Sequence, residues 1–334
     1  MPDAERVVGP RPEVVTLGEC LASFVASDVG PFAEVTRFGR HVAGAEANVA
    51  VGLARLGHRA AFIGRVGADG FGTSIVRALR GEGVAVDWLR VDESAPTGTM
   101  FRERRALGPA EVVYARAGSA GSRLSPDDVD AAAAAGAFDD ARWLHLTGIT
   151  PALSASSRAA VDCALDHARR RGLTVSLDIN LRRKLWSDAE ARPVLAGLAA
   201  RCDVVCGDID EAAAVTGLEP GAPVEALLHG LRGLGPSLGV LKLGRSGAAA
   251  LDRDGTTVSS PALAVEPLDP VGAGDAFCAG FIAASLEALP LTRRLEIAAA
   301  CGASAVAAIG DQAGLPDRTE LDRLLAGSTR DALR

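Results

Sequence analysis

Three features of the sequence predict an α/β fold, with a mostly parallel sheet flanked by helices on both faces. Short Val- and Leu-rich runs alternate with longer segments whose apolar residues recur at helical spacing. The helical segments close on glycine, at Gly57 and at Gly81 or Gly83, a common stop signal. Two segments with strand alternation, 97–105 and 110–117, stand apart from this rhythm and flank a Leu-Gly-Pro turn, which predicts a hairpin.

The elements follow in chain order. Residues 1–12 are polar and contain prolines, and read as a loose tail. A buried strand over 13–19 precedes a helix over 45–57, a strand over 59–67 and a helix over 71–83. Residues 20–42 join the hairpin of 97–117 in a small β-element separate from the main sheet. Alternation then resumes with a strand in 141–148, a helix in 154–172, a strand in 173–180 and a helix in 188–202. A strand in 203–208, a helix in 209–217, a strand in 238–244 and a short hairpin through 250–260 follow. A long helical region, 274–309, is broken near Pro290. Ligands of open α/β sheets bind at the carboxyl ends of the strands. Those ends here are Gly18 and Glu19, Gly64, Gly148, residues 178–182, Asp208 and Gly244.

Composition excludes several classes. A net charge of −7 disfavours nucleic-acid binding, which needs clustered phosphate-neutralising cations. Hydrophobic residues make up 48% of the chain but aromatics only 4%, so the core is built from Ala, Val, Leu and Ile. Lys184 and Lys242 are the only lysines in an arginine-rich background, which makes each conspicuous. The six cysteines, at 20, 163, 202, 206, 278 and 301, form no Cys-x-x-Cys pair, and no histidine lies at zinc spacing from Cys202 and Cys206. They read as small buried hydrophobes in a reducing compartment. The N-terminus has no apolar signal region and the Ala-rich run 297–309 is too short and too weakly apolar to span a bilayer. The expectation is a cytoplasmic chain without a membrane partner.

The stretch DPVGAGDAFCAGF, residues 269–281, carries the chemistry. A dinucleotide fingerprint needs a third glycine three residues after the second, whereas Gly280 lies six after Gly274, and 264–270 makes a poor buried strand. No Gly-x-x-x-x-Gly-Lys-Ser/Thr phosphate loop occurs. Taken alone, Asp275 reads as an ordinary helix N-cap. In combination, Gly272, Ala273 and Gly274 are small enough for a phosphoryl group to approach amides at a helix N-terminus. An aspartate there suits a base that takes a proton from an attacking hydroxyl.

These residues resemble the C-terminal signature of the ribokinase-like carbohydrate kinases, the phosphofructokinase-B group. VAGAEANVAVGLARLG, 42–57, is similar to their N-terminal signature, with Ala43 in place of its first glycine. The resemblance covers about residues 13–325 and implies one doubly wound α/β domain with a small β-sheet lid, here about 20–42 and 95–118. It implies Asp275 as catalytic base, an anion hole of Gly272, Ala273 and Gly274, and sugar contacts from Gly44 and Asn48. The family's Asn-x-x-Glu element aligns with 207–217, giving Glu211 as a water-mediated Mg²⁺ ligand and Asp208 where Asn is usual. LKLGRSGAAAL, 241–251, is similar to the nucleotide strand and turn, placing Lys242, Gly244 and Gly247, with Gly274, beside ATP. The implied cofactors are ATP and Mg²⁺, with a monovalent cation such as K⁺ in some relatives. Lid strands in this family often pair between subunits, which implies a homo-oligomer.

Three further stretches resemble one branch, the 2-keto-3-deoxygluconate kinases: 114–122, 145–154 and 176–186. That branch implies substrate contacts from Tyr114, the only tyrosine, and from Arg116 and Arg182. Guanidinium groups suit a sugar acid, whose carboxylate they grip in bidentate fashion. Asp178 and Asn180 bind phosphate or magnesium, or stabilise the turn after their strand. Arg102, Arg104 and Arg105 are expected at the surface, His145 in the core, and His58, His167 and His229 at helix ends or the surface. The implied reaction is ATP-dependent phosphorylation of a sugar acid, 2-keto-3-deoxygluconate, on its 6-hydroxyl. The alternatives are a kinase for another sugar (fructose, ribose or a deoxyketose) and a non-catalytic sugar- or nucleotide-binding protein of the same fold.

Overall fold

The computed structural model describes residues 11–331 apart from 107, 109 and 253. Most of the expected N-terminal tail, and two residues of the Leu-Gly-Pro turn, lie outside the described residues. In chain order the strands are β1 (Val14–Gly18), β2 (Leu21–Ala26), β3 (Phe38–Ala43), β4 (Ala60–Gly67), β5 (Leu89–Asp92), β6 (Thr99–Arg102), β7 (Val112–Ala115), β8 (Trp143–Thr147), β9 (Thr174–Asp178), β10 (Val204–Asp208), β11 (Leu238–Lys242), β12 (Ala248–Leu251) and β13 (Thr257–Ser260). The helices are α1 (Ala45–Arg55), α2 (Gly70–Gly81), α3 (Pro126–Ala134), α4 (Thr150–Leu153), α5 (Ala155–Arg171), α6 (Asp188–Ala199), α7 (Ile209–Thr216), α8 (Val224–Gly233), α9 (Ala273–Leu286), α10 (Leu291–Ala305) and α11 (Arg318–Asp331).

The main sheet has the order β13-β12-β11-β10-β9-β8-β1-β4-β5, parallel from β11 to β5 and closed at the other edge by antiparallel β12 and β13. Its central strands are buried on both faces, which is why they read as unbroken apolar runs. Successive side chains enter opposite cores. Val14 packs on the face shared with Leu53 and Phe281, while Val15 and Leu17 pack on the face shared with Leu146 and Leu165. The strand order reverses at β1, whose neighbours β4 and β8 lead away in opposite directions. Such a switch point opens a crevice at the carboxyl ends of the strands.

Immediately beyond β1 the chain enters the second sheet, ordered β3-β2-β6-β7. β6 and β7 form the expected hairpin, and β2 pairs parallel to β6. Phe24 stacks on Phe101 with centroids 5.0 Å apart, and Phe71 of α2 meets Phe24 edge-on at 5.5 Å.

Arg102, expected at the surface, is 5% exposed at the end of β6. Its guanidinium forks onto Asp269 through two bonds of 2.6 Å each. Asp269 also accepts the amides of Val271 (3.2 Å) and Gly310 (3.1 Å). Burial acts to raise the Asp269 pKa, but Arg102 and these amides outweigh it and hold the carboxyl below its ordinary range.

Four helices, α3, α4, α8 and α11, lie outside the sequence-based expectation, although two carry legible caps. Ser125 and Asp128 form a capping box at α3 with Pro126 in the first turn, and Asp317 and Glu320 bond reciprocally before α11. Five cysteines are buried as expected, but Cys163 is only half-buried.

Helix α9 is buried on every side from Asp275 to Ala284 and packs between α1 and α10. Small residues allow the backbones to approach. A Cβ on Gly52 would lie 2.7 Å from the Ala279 Cβ, and one on Gly280 would lie 2.8 Å from the Cys301 Sγ.

The Arg102→Ala variant leaves Asp269 buried without its cation, and a loss of about 3–5 kcal/mol is expected in chemical denaturation. Arg37→Ala, which removes an exposed pair with Asp28, is expected to leave the denaturation midpoint nearly unchanged. Equal losses in the two variants would refute the anchoring role of Arg102.

Candidate active site

A cleft of about 1500 Å³ opens between the carboxyl ends of the main strands and the small sheet. The thirteen residues given catalytic, anion-hole, substrate, nucleotide or metal roles by resemblance line it, as do Asp208 and Asn180, whereas Gly18, Glu19, Gly64, Gly148 and Asp178 do not.

At one end stands the N-terminus of α9. Gly272 is its N-cap with φ 82°, and no side chain among the described residues caps the helix. A Cβ at Gly272 would lie 2.5 Å from the carbonyl oxygen of Asp311, so only glycine fits. The first-turn amides therefore have no side-chain acceptor, and Gly272, Ala273 and Gly274 border the cleft. Asp275 does not act as the N-cap. Its Oδ2 accepts from Asn48 Nδ2 at 2.8 Å, and its Oδ1 faces Asn180 Nδ2 at 3.4 Å. Gln312 donates to Asn48 Oδ1 (3.0 Å), which orients the amide toward Asp275. Burial pushes the Asp275 pKa up to about 7; Asn48 opposes this, Asp178 adds to it, and Arg182 and Lys242 oppose it.

Lys242 ends β11 and bonds Asp178 Oδ1 at 2.6 Å. Burial disfavours its charge, but Asp178, Cys278 and Glu211 hold the ammonium pKa well above its usual value. It also reaches α9, since a Cβ on Gly274 would lie 3.2 Å from its Nζ. Gly244 and Gly247 border the cleft just beyond it. Glu211 and Asp208 form a capping box at the start of α7. Asp208 Oδ1 accepts the Glu211 amide (2.8 Å), and Glu211 Oε2 accepts the Asp208 amide (2.9 Å). An aspartate caps as well as an asparagine, which accounts for Asp208 in place of the usual Asn. Glu211 Oε1 accepts the Leu181 amide (2.9 Å), and burial raises its pKa, opposed by Lys242. Each carboxylate oxygen keeps a further lone pair. These hard oxygen donors, with Asp208 exposed to the cleft, fit a hydrated Mg²⁺.

The other end lies under the small sheet. Gly44 has φ 144°, and a Cβ there would lie 2.5 Å from the Glu19 carbonyl oxygen. Arg116 is engaged by Glu19, with Nε at 2.7 Å and Nη2 at 2.5 Å from Oε2, while Ser119 donates to the other oxygen. Tyr114 lies between the Arg116 guanidinium, 5.5 Å from its ring centroid, and the Lys184 ammonium at 5.9 Å. Lys184 also donates to the Val112 carbonyl at 2.6 Å, joining the two sides of the cleft. The Arg182 carbonyl accepts the Leu185 amide (2.8 Å), but its guanidinium makes no hydrogen bond or ion pair among the described residues.

Two lining residues escaped the sequence reading or were left with open roles. Asp311 is 6% exposed, its Oδ2 has no hydrogen-bond partner among the described residues, and burial pushes its pKa up to about 6. In sequence it is an aspartate beside Gly310, indistinguishable from a surface turn. Asn180 holds φ 39°, a left-handed conformation that asparagine tolerates, and faces both Asp178 and Asp275. His145 is a core histidine as expected, bonded to Ser176 at 2.8 Å.

Comparison with known proteins agrees with this architecture. A 2-dehydro-3-deoxygluconokinase of Thermoproteus tenax is 40% identical over 316 residues, 93% of this chain and 94% of that protein. The structure of a 2-dehydro-3-deoxygluconokinase from Thermotoga maritima superposes with a TM-score of 0.87 at 28% identity, covering 94% of this chain and 99% of that one. A candidate ribokinase II from E. coli, in complex with ATP and Mg²⁺, superposes with a TM-score of 0.85 at 26% identity, covering 95% and 99%. The profile described as pfkB family carbohydrate kinase matches residues 11–318, so nearly the whole α/β body and its small sheet are accounted for, and the chain belongs to that family of sugar kinases.

Proposed function

We propose that the chain transfers the γ-phosphoryl group of ATP to the 6-hydroxyl of 2-keto-3-deoxygluconate, with Asp275 as general base. The observation that carries this reading is a carboxylate with a pKa of about 7 beside the uncapped start of α9, in the cleft that holds the unpaired Arg182. The names of the relatives from Thermoproteus tenax and Thermotoga maritima support the substrate class. The ATP and Mg²⁺ held by the E. coli protein support the co-substrate and metal.

On this reading Asn48 and Asn180 hold Asp275 where it accepts the proton of the 6-hydroxyl as the oxygen bonds to phosphorus. The amides at Gly272, Ala273 and Gly274 stabilise the charge on the transferring group, and ADP leaves. Lys242 offsets charge on the phosphates, with Gly244 and Gly247 along the nucleotide. Asp208 and Glu211 would hold Mg²⁺ through water, and the bound ion neutralises the triphosphate. Arg182 binds the substrate carboxylate, Tyr114 and Gly44 shape the sugar end, and Asp311 accepts a sugar hydroxyl. Arg116, already neutralised by Glu19, positions the lid side of this pocket. That neutralisation also favours a second reading, a kinase for an uncharged sugar, which the Arg182 variant below separates from the first.

Asp275→Ala is expected to lower kcat by about 10²–10⁴-fold while ATP binding, followed by calorimetry, stays near wild type. Turnover at the wild-type rate would eliminate Asp275 as the base. A carboxyl with a raised pKa is protonated, and unable to accept the hydroxyl proton, below that value. The kcat/KM for the sugar is therefore expected to fall with decreasing pH through about 7, and a flat profile across that region would contradict the assignment. Arg182→Ala is expected to raise KM for the sugar acid about 10- to 100-fold and to leave that for a neutral sugar nearly unchanged. Equal losses for both would favour the uncharged-sugar reading while leaving Asp275 in place.

A further inference from the structure

We infer that Asp130, Cys163 and His167 form a second site, on the surface away from the cleft, for a borderline divalent cation such as Zn²⁺. Cys163 and His167 lie one helical turn apart on α5 and so share a face. Helix α3 packs against α5 and supplies Asp130. The three donor atoms lie within 4.8 Å of one another. His167 Nε2 is 2.6 Å and Cys163 Sγ 3.4 Å from the same Asp130 Oδ1. Metal bonds of about 2.0–2.3 Å in a tetrahedral site place donors roughly 3.3–3.7 Å apart, within reach of small side-chain rotations. Thiolate, imidazole and carboxylate are donors that zinc takes, and the fourth position is left for water.

None of the three residues lines the cleft or has a part in the phosphoryl-transfer reading. Cys163 is the one cysteine of six that is not buried, and the Asp130 side chain is 62% exposed, so a cation can enter from solvent. The His167 ring stacks on Phe138, with centroids 5.6 Å apart, which restrains its tilt and keeps Nε2 toward Asp130.

The hydrogen bonds around the site define the chemistry of binding. Arg171 Nη1 lies 3.0 Å from His167 Nδ1. A guanidinium can only donate, so Nδ1 is bare and the imidazole proton sits on Nε2, facing Asp130. Cys163 Sγ donates to the same Asp130 Oδ1 and so carries its thiol proton before a cation arrives. Binding forms metal–sulfur, metal–nitrogen and metal–oxygen bonds with no change of oxidation state. The thiol proton passes to solvent, and the imidazole proton moves from Nε2 to Nδ1. Arg171 must then withdraw from Nδ1, so it opposes the cation and limits the affinity. It stays anchored over Phe138, 5.8 Å from the ring centroid.

The test uses the full chain and Co²⁺ as a coloured probe, with Zn²⁺ as competitor. Wild-type protein is expected to develop thiolate-to-cobalt charge-transfer absorption that Zn²⁺ abolishes, and Zn²⁺ is expected to protect one thiol from a thiol reagent. Cys163→Ser and His167→Ala are expected to lose the absorption while keeping sugar kinase activity, which reports that the fold is intact. Arg171→Ala is expected to bind Co²⁺ about ten-fold more tightly. No absorption in the wild type, or the same absorption in Cys163→Ser, overturns the site. Weaker binding in Arg171→Ala overturns the proton arrangement.

Discussion

A guanidinium and a carboxylate, 167 residues apart in the chain, are buried against one another where the small sheet meets the main body. Removing two charges from water is costly unless the geometry is good and the remaining donors and acceptors are satisfied. Asp269 meets that condition with both oxygens on Arg102 and with the amides of Val271 and Gly310, while Arg102 Nε is buried with no hydrogen-bond partner among the described residues. Those two amides belong to the loop that enters α9 and to the turn that carries Asp311. The position of the small sheet and the position of the first turn of α9 are therefore fixed by the same carboxylate. A cleft whose walls come from two sheets needs such a tie, because the aromatic contacts of the small sheet run to α2 and not to α9.

Carboxylates and cations meet in the cleft. Asp178, Asp208, Glu211, Asp275 and Asp311 crowd around Lys242 and Arg182. Burial and like charge together raise the pKa of Asp275 and Asp311, and burial raises that of Glu211. Lys242 stays charged because it touches Asp178, and it spans from there to the start of α9. On the proposed reading, the acidic side receives the metal and the amide side receives the phosphates, with the ammonium between them. Burial above all brings the Asp275 carboxyl up to about 7, and on the proposed reading that is where a base works with the least loss at either protonation state.

What the sequence showed and what it hid divide along one physical line. Strands buried on both faces and helices closed by glycine are local signals, and the main sheet and the β6–β7 hairpin follow them. The capping box of Ser125 and Asp128 is local too, and α3 could have been read from it. Arg102 could not have been placed, since an arginine in a run of arginines carries no mark of a partner 167 residues away. The bond between Asn48 and Asp275 spans 227 residues and entered the sequence reading only through resemblance at both ends. Asn180 was read both as a candidate phosphate or magnesium contact and as a turn residue, whereas Asp311 went unread, because its burial belongs to the packed structure. Cys163, read with the others as a buried cysteine, departs from that rule because its helix turns one edge toward solvent.

Helix α9 carries Asp275 on a backbone that is pressed between two others through Gly52 and Gly280. Neither glycine touches the cleft, yet neither has room for one more carbon without moving the helix. The tolerance of this protein to mutation is thus uneven in a way that distance from the chemistry does not predict. Drift can rewrite much of the exposed face of α5 or α11, whereas a single methyl at either of these buried contacts shifts the frame in which the carboxylate is held. Evolution of new specificity in this scaffold has its freedom at the lid end and its rigidity beneath α9.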